Sequence, residues 1–414
     1  MADMARSPLN TPYDVAVIGA GPAGSAVATH LAREGWRVVI VDRSVFPRDK
    51  PCAEALSPAA EPLLAELGAL DSVLVGKPAR LRGFRVYAPN GSFFQGDFAA
   101  THDAAGKSIF ESGLVVPRLR LDAALLGAAR QAGAEVREGW RLATLAREDG
   151  GWQARSVSDD ALRTRLLIAA DGVHSTVAQR LKLHETGRLR KVALVAHLRG
   201  IANLDDYGEM HVANRRYVGL APLESPDVGT LCNVAMVVDE ARERHALTGR
   251  PQAFLLDALA TFPRLRGRLD ALEVVRKTMA ISRIHVRARR IVADGLLLVG
   301  DAAGYYDPFT GEGIYGALAS AKLAAGVAGK ALAAGTVEQA ALAAYEQEHA
   351  RLFRGKGAVE AIIQAAVQLP PMMNHVAAKL ADRKAMADTL LAVTGNFLPT
   401  SAVLRPGYLA RLVI

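Results

Sequence analysis

The chain has 414 residues, 50% hydrophobic and 22% charged, enough apolar content for one large or two intermeshed domains around a substantial core. No apolar run approaches the roughly 18 residues needed to cross a bilayer, and the leader MADMARSPLNTP lacks an apolar centre, so a cytoplasmic protein without secretory signal is expected. A net charge of +8 favours anionic partners, but the basic residues are scattered rather than interleaved with aromatics, which argues against nucleic acid.

Residues 1–12 read as a flexible leader. Tyr13 to Ile18 (YDVAVI) is a short apolar run ending in glycines, a strand signal. Ala23 to Glu34 is an alanine-rich helix with Gly35 placed for its C-cap. Trp36 to Asp42 (WRVVIVD) is a second strand, apolar enough to be buried on both faces. Together they form a βαβ unit with a parallel pair and a right-handed crossover. Leu119 to Gln131 reads as a helix, Ala134 to Glu138 as the following strand, and Leu166 to Ala170 as another buried strand. Segments such as VALVAHLRGI and LCNVAMVVD predict a sheet-rich insert between about 185 and 282. Leu296 to Val299 returns to the parallel pattern, and everything after Gly313 is helical apart from a break at Pro370-Pro371.

Three motifs carry chemistry. Gly19-Ala20-Gly21-Pro22-Ala23-Gly24 joins the first strand to the first helix, with Asp42 eighteen residues beyond. Gly19 permits the tight turn, Gly21 lets the backbone approach a pyrophosphate, and Gly24 allows close helix–strand packing. The helix opening faces the anion, and Asp42 can accept hydrogen bonds from a ribose. Strand, helix and acid in that order point to dinucleotide binding. Next, Ala170-Asp171-Gly172-Val173-His174-Ser175 follows a buried strand, where open α/β sheets bind ligands, although Asp-Gly is also an ordinary turn. Finally, Gly300-Asp301 ends the strand LLLV, and Asp307 to Ile314 (DPFTGEGI) opens a long helix. Asp301 can hold a ribityl hydroxyl, and amides at that helix start can hydrogen-bond the N1/O2 edge of a flavin.

In order and spacing these motifs resemble the dinucleotide, DG and GD fingerprints of the para-hydroxybenzoate hydroxylase-like FAD-dependent oxidoreductases, over residues 13 to about 330. Lys50 to Pro58 (KPCAEALSP) resembles the KPCGEGLSP segment of the geranylgeranyl reductase and polyketide-tailoring monooxygenase branch, and DPFTGEGI matches that branch as well. The resemblance implies an α/β fold: a Rossmann-like FAD-binding domain with a parallel sheet, an antiparallel substrate sheet roofing the pocket, and C-terminal helices packed outside. The expected division is 13–75, 108–184 and 283–330 for the discontinuous FAD-binding domain, 76–107 and 185–282 for the substrate sheet, and 331–414 for the helical region. The resemblance also implies NADPH or NADH as reductant and puts Arg118 on the FAD phosphates. Cofactor contacts are assigned to Gly19, Gly21, Ala23, Gly24, Asp42, Arg43, Lys50, Cys52, Arg118, Asp171, Gly300, Asp301, Pro308, Gly311, Glu312, Gly313 and Ile314. The sequence departs from the reductases in two places. Ala53 and Ala55 replace glycines of KPCGEG, and the aromatic motif YxWxFP survives only as Tyr217-Val218-Gly219-Leu220-Ala221-Pro222. A halogenase WxWxIP motif is absent.

Cys52 is a candidate for tuning the flavin, against the ordinary reading of a small buried hydrophobe; Cys232 reads as core. Tyr217, Tyr305 and Tyr306 are candidates to line the pocket, weighed against plain packing, and Glu312 is a candidate cap or catalyst. The ten histidines show no ligand pairing, so no metal is expected. His197, His211 and His285 are possible acid–base groups, each more often a satisfied or exposed histidine. The expectation is an NAD(P)H-dependent monooxygenase that hydroxylates an aromatic or polyketide-derived lipophilic substrate through a C4a-peroxyflavin. A reductase of isoprenoid double bonds is the alternative, and a flavin-binding protein without turnover the third. Peripheral membrane or carrier-protein contact stays open.

Overall fold

In the computed structural model, residues 12–98 and 112–413 are described, apart from 149, 188, 214, 225–229 and 270. The expected leader therefore lies almost wholly outside the described residues. Val15, Ala16, Val17, Val39 and Ile40 are fully buried, because the strands Tyr13–Ile18 and Val38–Val41 are covered on both faces. Parallel pairing runs from Glu135–Arg137 through Val38–Val41, Tyr13–Ile18 and Ala161–Ala169 to Leu296–Leu298. The second strand is shorter than expected and excludes Trp36, which is only partly buried. An addition not legible in the sequence is an antiparallel meander: Leu142–Glu148 pairs with Gly151–Ser156, which pairs with Ala161–Ala169. The helices Pro22–Arg33, Arg118–Gln131 and Gly313–Ala333 bury their alanine-rich faces in the same core.

The second sheet has seven strands, ordered Glu273–Ser282, Lys191–Arg199, Cys232–Asp239, Arg216–Pro222, Tyr207–Ala213, Gly83–Tyr87, Phe93–Asp97. All its pairs are antiparallel except Tyr207–Ala213 with Gly83–Tyr87. Period-two alternation divides the two faces. Val192, Leu194, Ala196 and Leu198 pack with Phe254, Leu255 and Leu259 of the helix Pro251–Leu259. Ala193, Tyr217, Ala221 and Val237 lie in a separate cluster with Val359, Met373 and Leu391 of the C-terminal helices.

That last contact corrects the expectation that the C-terminal helices pack outside. Gly313–Ala333 does belong to the nucleotide-binding core. The helices Lys356–Gln368, Pro370–Ala381, Lys384–Thr394 and Pro406–Val413 instead close over the inner face of the second sheet. The helix break falls at Leu369, and Pro370 begins the next helix, where its missing N–H costs nothing.

Candidate functional site

The glycine turn is shaped by close contacts. Gly19 has φ +101°, and a Cβ there would lie 2.5 Å from the Ala170 carbonyl oxygen. At Gly24 a Cβ would lie 1.8 Å from the Gly19 oxygen. Gly21 differs: the groups facing a Cβ there are the guanidinium groups of Arg48, at 3.6 Å, and Arg118, at 4.0 Å. No side chain caps the helix that follows, so its opening amides face the same space. Arg118 is buried and held by Asp122 through paired contacts, Nε to Oδ1 and Nη2 to Oδ2, both 2.8 Å. Arg48 reaches Asp122 Oδ2 at 2.6 Å. One carboxylate thus fixes two cations beside a helix N-terminus, a site for a diphosphate. Asp42 accepts from Ala20 N–H and Ser44 N–H, each at 2.8 Å, which fixes the carboxylate while leaving further lone pairs for hydroxyls.

Beyond the turn a cavity of about 160 Å³ runs between the two sheets, lined by Gly21, Lys50, Cys52, Arg118, Asp301 and Tyr305 among others. Burial raises the Asp301 carboxyl above its usual range, with Lys50 and Arg118 pulling the other way. Burial lowers the Lys50 ammonium, and the Arg118 charge lowers it further. Asp171 accepts from Thr176 N–H at 2.7 Å through Oδ2, whereas its buried Oδ1 has no partner. A carboxylate facing two cations across a cavity and room in front of Gly21 fit an FAD molecule along this trench.

At the far end Asp307 caps the turn Pro308–Thr310, accepting from Phe309 N–H at 3.0 Å, and Gly311 turns the chain at φ +70°. Pro308, Gly311, Gly313 and Ile314 line the cavity. Asp307 also accepts from the Tyr217 hydroxyl at 2.5 Å and pairs with Lys191 Nζ at 2.9 Å, all three being buried. Lys191 continues to Gln364 of the C-terminal helices. Burial and Asp307 push the Tyr217 phenol well above its usual range, and burial with Asp301 does the same for Tyr305. Nearby Glu360 is pushed up to about 8 by burial and then by Glu312 and Asp307.

A second buried network fixes the segment after Cys52. Glu54 is fully buried with φ +61°. Its Oε2 meets His197 Nε2 at 2.8 Å and Asn233 Nδ2 at 2.6 Å; its Oε1 accepts from Arg118 N–H at 3.0 Å. Arg276 reaches Glu54 at 3.4 Å and Asp49 at 2.9 Å. His197, Asn233 and Arg276 belong to the second sheet, so this carboxylate ties that sheet to the loop leading into Arg118.

The flavin end opens into a larger cavity of about 650 Å³ with almost wholly apolar walls. Ala53, Ala55, Met210, Gly219, Pro308 and Gly311 line both spaces. The outer wall comes from the C-terminal helices, through residues such as Val359, Ile363, Val376, Leu391 and Leu412.

The structure brings together Gly21, Ala23, Lys50, Cys52, Arg118, Asp301, Tyr217 and Tyr305 on one cavity. Gly300 lies just behind it, where a Cβ would come within 2.8 Å of the Ala23 methyl. Three other assigned residues stand apart. Arg43 is exposed and outside both cavities, whereas Arg48, not singled out in the sequence, faces Gly21. Tyr306 points away from Tyr305 and packs on His285, ring centroids 4.7 Å apart. Glu312 makes no cap and pairs with Lys356 instead. His211 is buried against Glu209 at 2.7 Å, and His285 accepts from Leu189 N–H at 3.2 Å. Cys232 is buried in the sheet core. Sequence reasoning missed Arg48, Glu54, Asn233, Lys191 and Asp307's triple role. Only Glu54 carried a signal, as the polar centre of KPCAEALSP.

Comparison with known proteins agrees with this geometry. Conditioned medium factor receptor 1 of Dictyostelium discoideum is 30% identical over 330 residues, 75% of this chain and 62% of the relative, so the chain spans under two thirds of that relative's length. Digeranylgeranylglycerophospholipid reductase 1 of Methanothermobacter thermautotrophicus is 28% identical over 354 residues, 81% of this chain and 82% of the relative. A flavoprotein/dehydrogenase structure from Cytophaga hutchinsonii superposes with a TM-score of 0.80 at 18% identity, covering 96% of both chains, which shows a shared fold. The FAD binding domain model matches residues 12–360, and the chain is a member of that family of FAD-dependent oxidoreductases.

Proposed function

We propose that the protein is an NAD(P)H-dependent monooxygenase whose substrate carries an aromatic or polyketide-derived ring and a long apolar tail. The observation that carries this reading is the junction of the two cavities. There Gly219 and Ala221 stand at the positions of the bulky residues of YxWxFP. A Cβ on Gly219 would meet only ordinary contacts, the nearest being Met210 Cε at 3.4 Å, so a planar ring has room where a side chain is missing. The tail would run into the apolar cavity, whose burial of methylenes favours binding by about 0.8 kcal/mol each.

Bound FAD would supply hydride acceptance and oxygen activation. Arg48 and Arg118 hold its diphosphate, Asp42 its adenosine ribose and Asp301 its ribityl chain. Tyr305, with its phenol held protonated, is a hydrogen-bond donor toward a substrate oxygen. Tyr217 orients the ring edge while its proton stays committed to Asp307. Cys52 lines the same cavity, where it would stand beside the bound ring. The almost wholly apolar walls offer water few partners beside the flavin.

The alternative is saturation of an isoprenoid double bond, favoured by the similarity to the archaeal lipid reductase over four fifths of both chains. Oxygen uptake that rises with an alkyl-phenol substrate and matches hydroxylated product supports the first reading. Alkene saturation with oxygen excluded, and no substrate-dependent oxygen uptake, supports the second. Failure of any substrate to drive NAD(P)H oxidation would leave a flavin-binding protein without turnover.

A further inference from the structure

The large cavity reaches the surface among the C-terminal helices. Of its lining residues, Ile362 is 37% exposed, Met372 is 36% exposed, and His375 is exposed as well, so these three form a rim. Leu369, one turn before Met372, is 53% exposed. Among the described residues, four of the ten exposed large hydrophobics, Ile362, Leu369, Met372 and Leu398, fall in this short stretch of chain, and Ile362 and Met372 line the cavity. Scattered single apolar residues need no explanation; a group bordering an apolar cavity does.

Charge is concentrated in the same region. Residues 351–414 hold eight Lys or Arg against three Asp or Glu; Arg351, Lys356 and Lys384 are ion-paired with Glu348, Glu312 and Asp97, which leaves a smaller but still positive balance. On the helix Pro370–Ala381, Met372, His375 and Lys379 recur at spacings of three and four and so share one stripe. On Pro406–Val413, Leu409 and Leu412 line the cavity while Arg411, and Arg405 just before the helix, are exposed. Arg383 donates to the Arg411 carbonyl, which ties the ends of these two helices together. Apolar side chains at an opening, ringed by cations, match the interface of an anionic bilayer, where apolar insertion and attraction to anionic headgroups add. No described helix is long and apolar enough to span a membrane, so the contact would be with one leaflet.

We propose that this face docks on an anionic phospholipid surface, with the Ile362–Met372 rim inserted so that a lipophilic substrate enters the cavity directly from the leaflet. Only the last clause rests on the lipophilic-substrate reading above; docking itself does not. Flavin-loaded full-length protein should co-sediment with vesicles of phosphatidylcholine plus phosphatidylglycerol and stay in solution with phosphatidylcholine alone. Added salt should weaken the binding. The combined variant Ile362→Asp, Leu369→Asp and Met372→Asp should bind the anionic vesicles at least tenfold more weakly. Should that variant lose its flavin, Leu369→Trp is the second probe: its fluorescence should shift to the blue and be quenched by brominated lipid. No sedimentation with anionic vesicles, or an unquenched Trp at position 369, overturns the proposal. So does a dimer in solution that the rim variant dissociates, because a second copy would then own the surface. Vesicle binding measures no turnover, so its failure leaves the flavin reaction standing, and an inactive enzyme leaves the docking standing.

Discussion

The Glu54 carboxylate and the His197 imidazole meet at 2.8 Å inside the protein, joining the loop that follows Cys52 to the strand next to one edge of the roof sheet. Removing one partner of such a buried pair leaves the other uncompensated, at a cost of about 3–5 kcal/mol. Glu54→Ala should therefore destabilise the flavin-loaded protein by that order in urea unfolding. His197→Ala added to it should cost clearly less than His197→Ala alone, because the two share one interaction. Simple additivity would show that they act independently.

Cofactor retention should depend on Asp301. Asp301→Ala would remove the hydrogen bond proposed to the ribityl chain, and FAD affinity should fall about 10- to 100-fold. The purified variant should be colourless or faintly yellow, and full flavin occupancy would reject the ribityl assignment. Gly21→Val should also lose flavin, since its side chain would enter the space in front of Arg48 and Arg118.

Gly219→Trp rebuilds the missing bulk at the cavity junction. The variant should keep its flavin, because Gly219 is not among the groups proposed to hold the diphosphate, the ribose or the ribityl chain. KM for a ring-bearing substrate should rise at least about tenfold, the scale of one lost apolar contact in a pocket. An unchanged KM would place the ring elsewhere.

Glu360 gives the pH prediction. Its carboxyl is pushed up from 4.5 to about 8 in the folded protein, so the folded state binds more protons than the unfolded state between those values. Stability must then fall as pH rises from about 4.5 to about 8 and change no further above that. Glu360→Gln should abolish this loss, a gain of no more than about 5 kcal/mol above pH 8. Matching wild-type and variant stability profiles, followed by denaturant midpoints across pH, would refute the shift.

The nucleotide-binding half was legible because its signals are local. Gly19, Gly24 and Asp42 act within one βαβ unit, and the physical constraints on each are visible in a few neighbouring letters. The roof sheet was legible as alternating apolar runs, but its strand order was not, since Gly83–Tyr87 pairs with Tyr207–Ala213 across more than a hundred residues. Long-range partners were lost for the same reason: nothing near Lys191 announces Asp307, and nothing near Glu54 announces Asn233. The C-terminal helices were misplaced because an alanine-rich amphipathic pattern fixes a buried face without saying what it is buried against. Tyr306 was paired with Tyr305 by adjacency alone, whereas neighbouring side chains leave an extended segment in opposite directions.

The family-wide match ends at residue 360, almost where the outer wall of the apolar cavity begins. The outer wall of that cavity thus comes from chain beyond the match, while its inner wall, through Leu56, Phe84, Phe98 and Met210, comes from within it. Wall residues such as Leu390 and Val403 line only the larger cavity, so their size can change without touching the groups proposed to grip the flavin. If the proposed substrate tail lies there, the outer wall acts as an adjustable ruler, and exchanging the residues after 360 between relatives would exchange the length it accepts.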